Sequence, residues 1–214
     1  MHVVLDNLPA FLRATRVTAQ LTVISFLLAM LIGTLVAGFR VSPVLPLRWL
    51  GTVYVELVRN TPLLVLISLF VFGFTKIGIR YSYYASAIIV LSTYTGTFVA
   101  ETVRAGINTV APGQAEAARS LGLTFSQLLF AVVLPQAFRS VVAPLGSVFI
   151  ALIKNSALAS TIAVMDLSFL GTQLTNSTGR PVAVFMGSAF FYLLLALPSG
   201  WAIGWFERRV AVKR

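Results

Sequence analysis

Long apolar runs separated by short polar or basic stretches set the pattern of this chain. The runs cover residues 17–39, 62–74 with an extension to 79, 83–103, 138–153 and 182–206, and a shorter apolar piece covers 157–170. A bilayer core takes roughly 20 apolar residues per helix, so the pattern predicts about five membrane-spanning helices. Local punctuation predicts where helices start and stop. Thr61-Pro62 reads as an N-cap followed by proline at the first helical position, where its missing N–H costs nothing. Gly122 fits a left-handed helix C-cap. Thr124 with Gln127 three residues later is a capping-box pattern for the next helix. The polar stretch between the third and fourth long runs is therefore expected to form two short helices joined by a tight turn.

The faces of the runs carry a second layer of pattern. In the first, Ser25, Ala29, Gly33 and Ala37 recur at four-residue spacing, and small residues on one face let helix backbones approach closely. Gly200 and Gly204 form a GxxxG in the last run, a weaker signal because glycine is common in membrane helices. In the third, Ser86, Thr93, Thr97 and Glu101 share a face. Polar groups face lipid only at high cost, so this stripe is expected to look inward, toward a neighbouring helix or a substrate.

Composition changes the picture by exclusion. The chain is 58% hydrophobic and 10% charged, which points to an all-α membrane protein rather than a soluble fold. It has no cysteine, and its single histidine is His2, so thiolate and histidine metal sites or catalytic sites are not expected. The formal net charge of +10 belongs to topology rather than to nucleic-acid binding, because the basic residues cluster at the ends of apolar runs. Arg208, Arg209, Lys213 and Arg214 follow the last run and predict a cytoplasmic C-terminus; an odd number of spans then puts the N-terminus outside. On this reading the connector with Arg40, Arg48 and Arg59 and the loop with Arg104, Arg119 and Arg139 are inside. Arg13, Arg16, Lys76, Arg80 and Arg180 are outside. Trp201 and Trp205 sit before the basic tail, as interfacial aromatics do. The first residues lack a basic region followed by a short apolar core and a small-residue cleavage site, so the first run is expected to be a retained span.

Residues 114–135, QAEAARSLGLTFSQLLFAVVLP, hold the most specific motif. Glu116, Ala117 and Ala118 open it, Gly122 follows, and Val132 with Leu134-Pro135 closes it. This segment resembles the EAA loop of bacterial ABC importer permeases, the cytoplasmic element that docks into a partner ATPase; Val132 stands where that family more often has isoleucine. Upstream, Ala100, Glu101, Arg104, Gly106, Ile107, Gly113 and Gln114 resemble the polar amino-acid branch of these permeases, as do residues 54–64 and 152–160. The resemblance implies a single transmembrane permease domain over 1–214, of type I ABC importer architecture, with a cytoplasmic coupling loop at 105–135. It implies that Glu116, Ala117, Ala118, Arg119 and Gly122 meet the ATPase. It also implies a multi-pass subunit of the bacterial inner membrane, surrounded by lipid, that imports polar amino acids, nearest to glutamate or glutamine. The expected partners are a dimer of P-loop ATPase subunits that bind ATP and Mg, a second permease subunit (identical or sister), and an extracytoplasmic binding protein. This chain has no G-x-x-x-x-G-K-[ST] segment and is not expected to be an enzyme.

Ionisable groups in apolar context supply the candidate substrate contacts. Lys154 ends a short run and precedes Asn155-Ser156, and a helix broken at mid-depth is a common transporter device. Its ammonium could hold a substrate carboxylate; alternatively it snorkels outward or pairs with Asp166. Asp166 could instead meet a substrate ammonium, and Thr93 and Thr97 of the polar stripe complete the set. Glu101 and Arg104, three apart on one helix, read as a structural or gating pair. Rival readings are an ion-coupled secondary transporter, for which Glu101 and Asp166 are the candidate carboxylates, and a membrane scaffold without transport.

Overall fold

Local chemistry accounts for most helix boundaries in the computed structural model, which describes residues 2–210 and is helical in every element among them. A short α1 (His2–Asp6) leads into α2 (Leu8–Val41), which carries Pro9 in its first turn and Arg40 in its last. Two helices follow, α3 (Leu45–Arg59) and α4 (Leu63–Ser68); α4 continues through a π-helical turn, Leu69–Gly73, into α5 (Phe74–Lys76). Next comes α6 (Tyr83–Asn108), capped by the Ser82 hydroxyl, which accepts the Ala85 N–H. The loop after it holds α7 (Pro112–Ser120) and α8 (Phe125–Leu128). A second π-helical turn, Leu129–Val133, enters α9 (Leu134–Asn155). A 3₁₀ turn, Ser156–Ile162, then precedes α10 (Leu167–Thr178) and α11 (Pro181–Val210). Arg208 and Arg209 stand in the last turn of α11; Lys213 and Arg214 lie outside the described residues.

Four stretches are long and apolar enough to cross a membrane alone: Leu8–Val41, Tyr83–Asn108, Phe130–Ile162 and Pro181–Arg209. A fifth crossing is reached only when Leu45–Arg59 and Leu63–Lys76, bent by 101°, count together as one broken span. The expected five spans are thus reached, but the second differs from its expected form. Residues 45–59, expected as a basic connector, are helical and precede the apolar run at that bend. The break sits at Asn60-Thr61-Pro62, because a residue before proline is pushed out of the α region and proline cannot donate into the preceding turn. Arg59 therefore ends a helix, where a non-helical connector was expected.

The dominant packing is α2 on α6. Ser25, Ala29, Gly33 and Ala37 are all buried, as their spacing predicts. Gly33 marks the closest approach: a Cβ there would stand 2.5 Å from the Val99 Cβ and 2.7 Å from the Gly96 carbonyl oxygen. Leu21, Ile67, Leu91, Leu152 and Ala159 join α2, α4, α6, α9 and the 3₁₀ turn in one buried cluster. The Gly200/Gly204 pair makes no comparable seam. A Cβ at Gly200 would meet Ile150 at 3.6 Å and one at Gly204 only the Arg208 tip at 3.7 Å, both ordinary contacts. Instead, Gly146 of α9 receives the Ile203 side chain of α11.

Candidate functional site

The α7–α8 hairpin is built by three local devices. Pro112 starts α7 in its first turn. Gly122 ends it with φ +79°, and its N–H donates to the Arg119 carbonyl (2.9 Å) while the Leu123 N–H donates to the Ala118 carbonyl (3.2 Å). That pair of bonds is a Schellman cap, which satisfies carbonyls that the helix end would otherwise strand. Thr124 and Gln127 then form the expected capping box. The Thr124 N–H donates to the Gln127 side-chain oxygen at 2.9 Å, and the Gln127 N–H to the Thr124 hydroxyl at 3.4 Å. Only Ala118 of this motif is buried; Glu116, Ala117, Arg119 and Gly122 are exposed. Leu121, 81% exposed at the tip, is an apolar position on this face that the sequence reading missed. Its signal was a leucine wedged between a polar helix and its glycine cap.

The root of this hairpin is fastened to the membrane body. Gly106 of α6 packs against Val141 and Ala137 of α9, and the Thr109 hydroxyl lies 3.3 Å from that of Ser140. One turn above, the Glu101 carboxylate is held from two sides. Arg104 Nη2 donates to Glu101 Oε2 at 2.8 Å, and Arg40, at the end of α2, donates to Glu101 Oε1. Arg40 lies 61 residues from Glu101 and was not expected as its partner. Gly51 of α3 makes room for it, since a Cβ there would stand 2.8 Å from Arg40 Cγ.

Two small recesses open within the membrane region. One, about 240 Å³, lies between α6 and α9 and is lined by Thr95, Phe98, Ser147, Ala151 and Asn155 among others. The other, also about 240 Å³, lies between α6 and the broken span, lined by Val58, Leu66, Phe70 and Thr93 among others. A larger recess of about 740 Å³ between α1 and α11 is lined by apolar residues and Arg180; it lacks the convergent polar groups that orient a polar solute.

The six candidate substrate contacts do not converge. Asn155 lines the first recess and Thr93 the second. Lys154 is exposed beside Asn155. Thr97 is fully buried, its hydroxyl donating to the Tyr94 carbonyl at 2.7 Å, and buried Ser156 donates to the Ile153 carbonyl at 2.8 Å. Asp166 is fully buried and caps α10, its Oδ1 accepting the Phe169 N–H at 2.8 Å. The same corner ties three helices. The Leu167 N–H donates to the Thr18 hydroxyl of α2 at 3.1 Å, and Ser168 and Tyr192 of α11 share a hydrogen bond of 3.0 Å. Asp166 Oδ2 has no hydrogen-bond partner among the described residues. The alternative pairing of Lys154 with Asp166 is not formed, because the described ion pairs all converge on Glu101. Thr95, two residues from each of Thr93 and Thr97, borders the first recess and was missed because it lies off the polar stripe. Among the described residues no cluster of three or more acidic or histidine side chains could hold a metal ion.

Comparison with known proteins adds independent findings. A family model described as binding-protein-dependent transport system inner membrane component matches residues 29–212. The chain is 37% identical over 210 residues to a probable glutamine ABC transporter permease protein, GlnM, of Bacillus subtilis, covering 98% of this chain and 97% of that one. It is 41% identical over 219 residues to the glutamate transport system permease protein GluC of Corynebacterium glutamicum, covering 96% of each. A crystal structure of an amino acid ABC transporter with histidines superposes with a TM-score of 0.91 at 32% identity, again covering 96% of each chain.

Proposed function

Because this chain belongs to the family of binding-protein-dependent transport system inner membrane components, we propose that it carries polar amino acids, glutamate and glutamine foremost, inward across the bacterial cytoplasmic membrane. It is an inner-membrane permease subunit of an ABC transporter and not itself an enzyme; ATP hydrolysis lies in a separate subunit. Membership also implies a solute-binding protein. The observation that carries the choice of substrate is the likeness, over nearly the whole chain, to a glutamate and a glutamine permease protein.

Coupling runs through the α7–α8 hairpin, within a cytoplasmic loop spanning 105–135. Glu116, Ala117, Arg119 and Leu121 offer the exposed face to the ATPase, while Ala118 and Gly122 set its shape. Closure of two ATPase subunits around ATP and Mg moves this lever, and the fastened root passes the movement to α6 and α9, opening the path outward; hydrolysis returns it inward. A second permease subunit, identical or sister, completes the path.

For the solute, the recess bordered by Asn155, with the Lys154 ammonium beside it, suits an amino-acid carboxylate. Asp166 remains the candidate for the ammonium on one observation, its buried oxygen without a partner. Thr93 borders the second recess. Thr97 and Ser156, whose hydroxyls are spent on their own helix backbones, act by holding helix geometry around the path.

The test is reconstitution in proteoliposomes with the ATPase subunits and the binding protein. Glutamate or glutamine uptake should require ATP and persist when an uncoupler collapses the proton gradient. Uptake that survives without ATP and stops with the uncoupler would replace this reading with ion-coupled transport.

A further inference from the structure

We propose that Arg59 is a second cationic anchor in the solute path, and that it takes the side-chain carboxylate of an acidic amino acid. The inference rests on the proposed function and narrows its substrate to one that carries two carboxylates.

Arg59 is the last residue of α3, at the 101° break of the second span. Its depth follows from what α3 touches. The Tyr54 hydroxyl donates to the Thr93 carbonyl of α6 at 2.6 Å, and the Arg59 guanidinium stands over the Phe98 ring, 5.6 Å from its centroid. At 1.5 Å rise per residue, Phe98 lies roughly 22 Å from Tyr83 and roughly 15 Å from Asn108, one turn before the Glu101–Arg104 pair. Arg59 is exposed, and an arginine within a crossing faces a partner or a water-filled path rather than lipid.

No carboxylate among the described residues serves as that partner. Glu56, one turn back, accepts from Asn60 Nδ2 at 3.1 Å, and Glu101 is taken by Arg40 and Arg104. Among the described residues Arg59 makes no ion pair. Its contact with Phe98 uses the ring face and leaves the guanidinium N–H edge available. That edge is a planar fork matched to a carboxylate, which it binds through two parallel hydrogen bonds.

Phe98 connects this cation to the candidate path. The ring under Arg59 also walls the recess that Thr95, Ser147 and Asn155 line, and Lys154 adjoins Asn155. Arg59 thus stands over the ring of one residue that lines the recess, and Lys154 is the sequence neighbour of another. Two separated cations suit a solute with two separated carboxylates, whereas glutamine presents one carboxylate and a neutral amide.

The experiment is equilibrium binding of radiolabelled L-glutamate and L-glutamine to the purified permease–ATPase complex, without nucleotide or binding protein. Wild type should bind glutamate more tightly than glutamine. R59Q should weaken glutamate binding roughly ten- to a hundredfold, the range for a charge-assisted hydrogen bond, and leave glutamine within about threefold. R59K should restore part of the glutamate affinity, since it keeps the charge and loses the fork. Equal loss of both ligands in R59Q, or unchanged glutamate affinity, overturns the inference in favour of packing on Phe98. A wild-type complex that prefers glutamine overturns it while leaving the proposed function intact, and does so even if R59Q fails to assemble. Failure of ATP-driven uptake of either amino acid refutes the proposed function itself.

Discussion

Gly122 is the position where a single backbone angle sets the shape of the lever. Its φ of +79° lies in the left-handed region, and a Cβ built there meets nothing within 4 Å. Any penalty for a side chain is therefore a backbone penalty, not a clash. For an L-residue that penalty is about 1–2 kcal/mol, and a β-branched side chain belongs at or above its upper end. The two cap bonds, from Gly122 to Arg119 and from Leu123 to Ala118, are what the strained residue would break to escape. By the usual conversion, about 1–2 kcal/mol biases the last turn of α7 toward a frayed state roughly five- to thirtyfold. A frayed turn misplaces Arg119 and Leu121, the residues proposed to meet the ATPase. The assay is recovery of the ATPase with the tagged permease, together with ATP-driven uptake per complex. Gly122→Val should lose most of both, Gly122→Ala should lose less, and Gly122→Asn should lose least, because asparagine tolerates the left-handed region. Two results refute the reasoning. Undiminished recovery and uptake in Gly122→Val would mean that the cap does not govern docking. A worse defect for asparagine than for alanine would mean that bulk at the interface, not backbone strain, is what matters.

Gly33→Val should destabilise the complex by roughly 1–3 kcal/mol or more, since its Cβ would collide with Val99 and the Gly96 backbone; Gly38→Ala, which meets nothing within 4 Å, is the matched control in a thermal-unfolding comparison. Arg40→Met should lower the unfolding temperature more than Arg104→Met, because the Arg40 side chain is 10% exposed and Arg104 35%, and a less hydrated ion pair costs more to break; equal effects would remove Arg40 from the lock. A reporter fused after Arg214 should be cytoplasmic and one inserted near Ser177 external, and a cytoplasmic Ser177 reporter would overturn the orientation and the placement of the coupling loop.

Features written in neighbouring residues were legible before any coordinates. Apolar runs gave the number of crossings, because lipid forces each backbone to satisfy itself within a helix of fixed length. Four-residue spacing of Ser25, Ala29, Gly33 and Ala37 identified the packing face of α2, since that face follows from helix period alone. The cap at Gly122 and the box from Thr124 to Gln127 were legible for the same reason: their bonds close within three to five residues. Tertiary structure decided what depends on elements meeting. Arg40 reaches Glu101 across 61 residues, and Thr18 caps the start of α10 from 149 residues away, distances over which no periodicity carries information. The apolar run from 62 gave the second crossing, but the helix at Leu45–Arg59 before it escaped because it is short and carries Arg48, Glu56 and Arg59, so it looked like a basic connector. Only the tertiary contact of Arg59 with Phe98 puts that charge over a residue that lines the recess. Helix ends and faces are local consequences of backbone geometry, whereas the depth of a charge in the membrane is fixed by which helix it lies against.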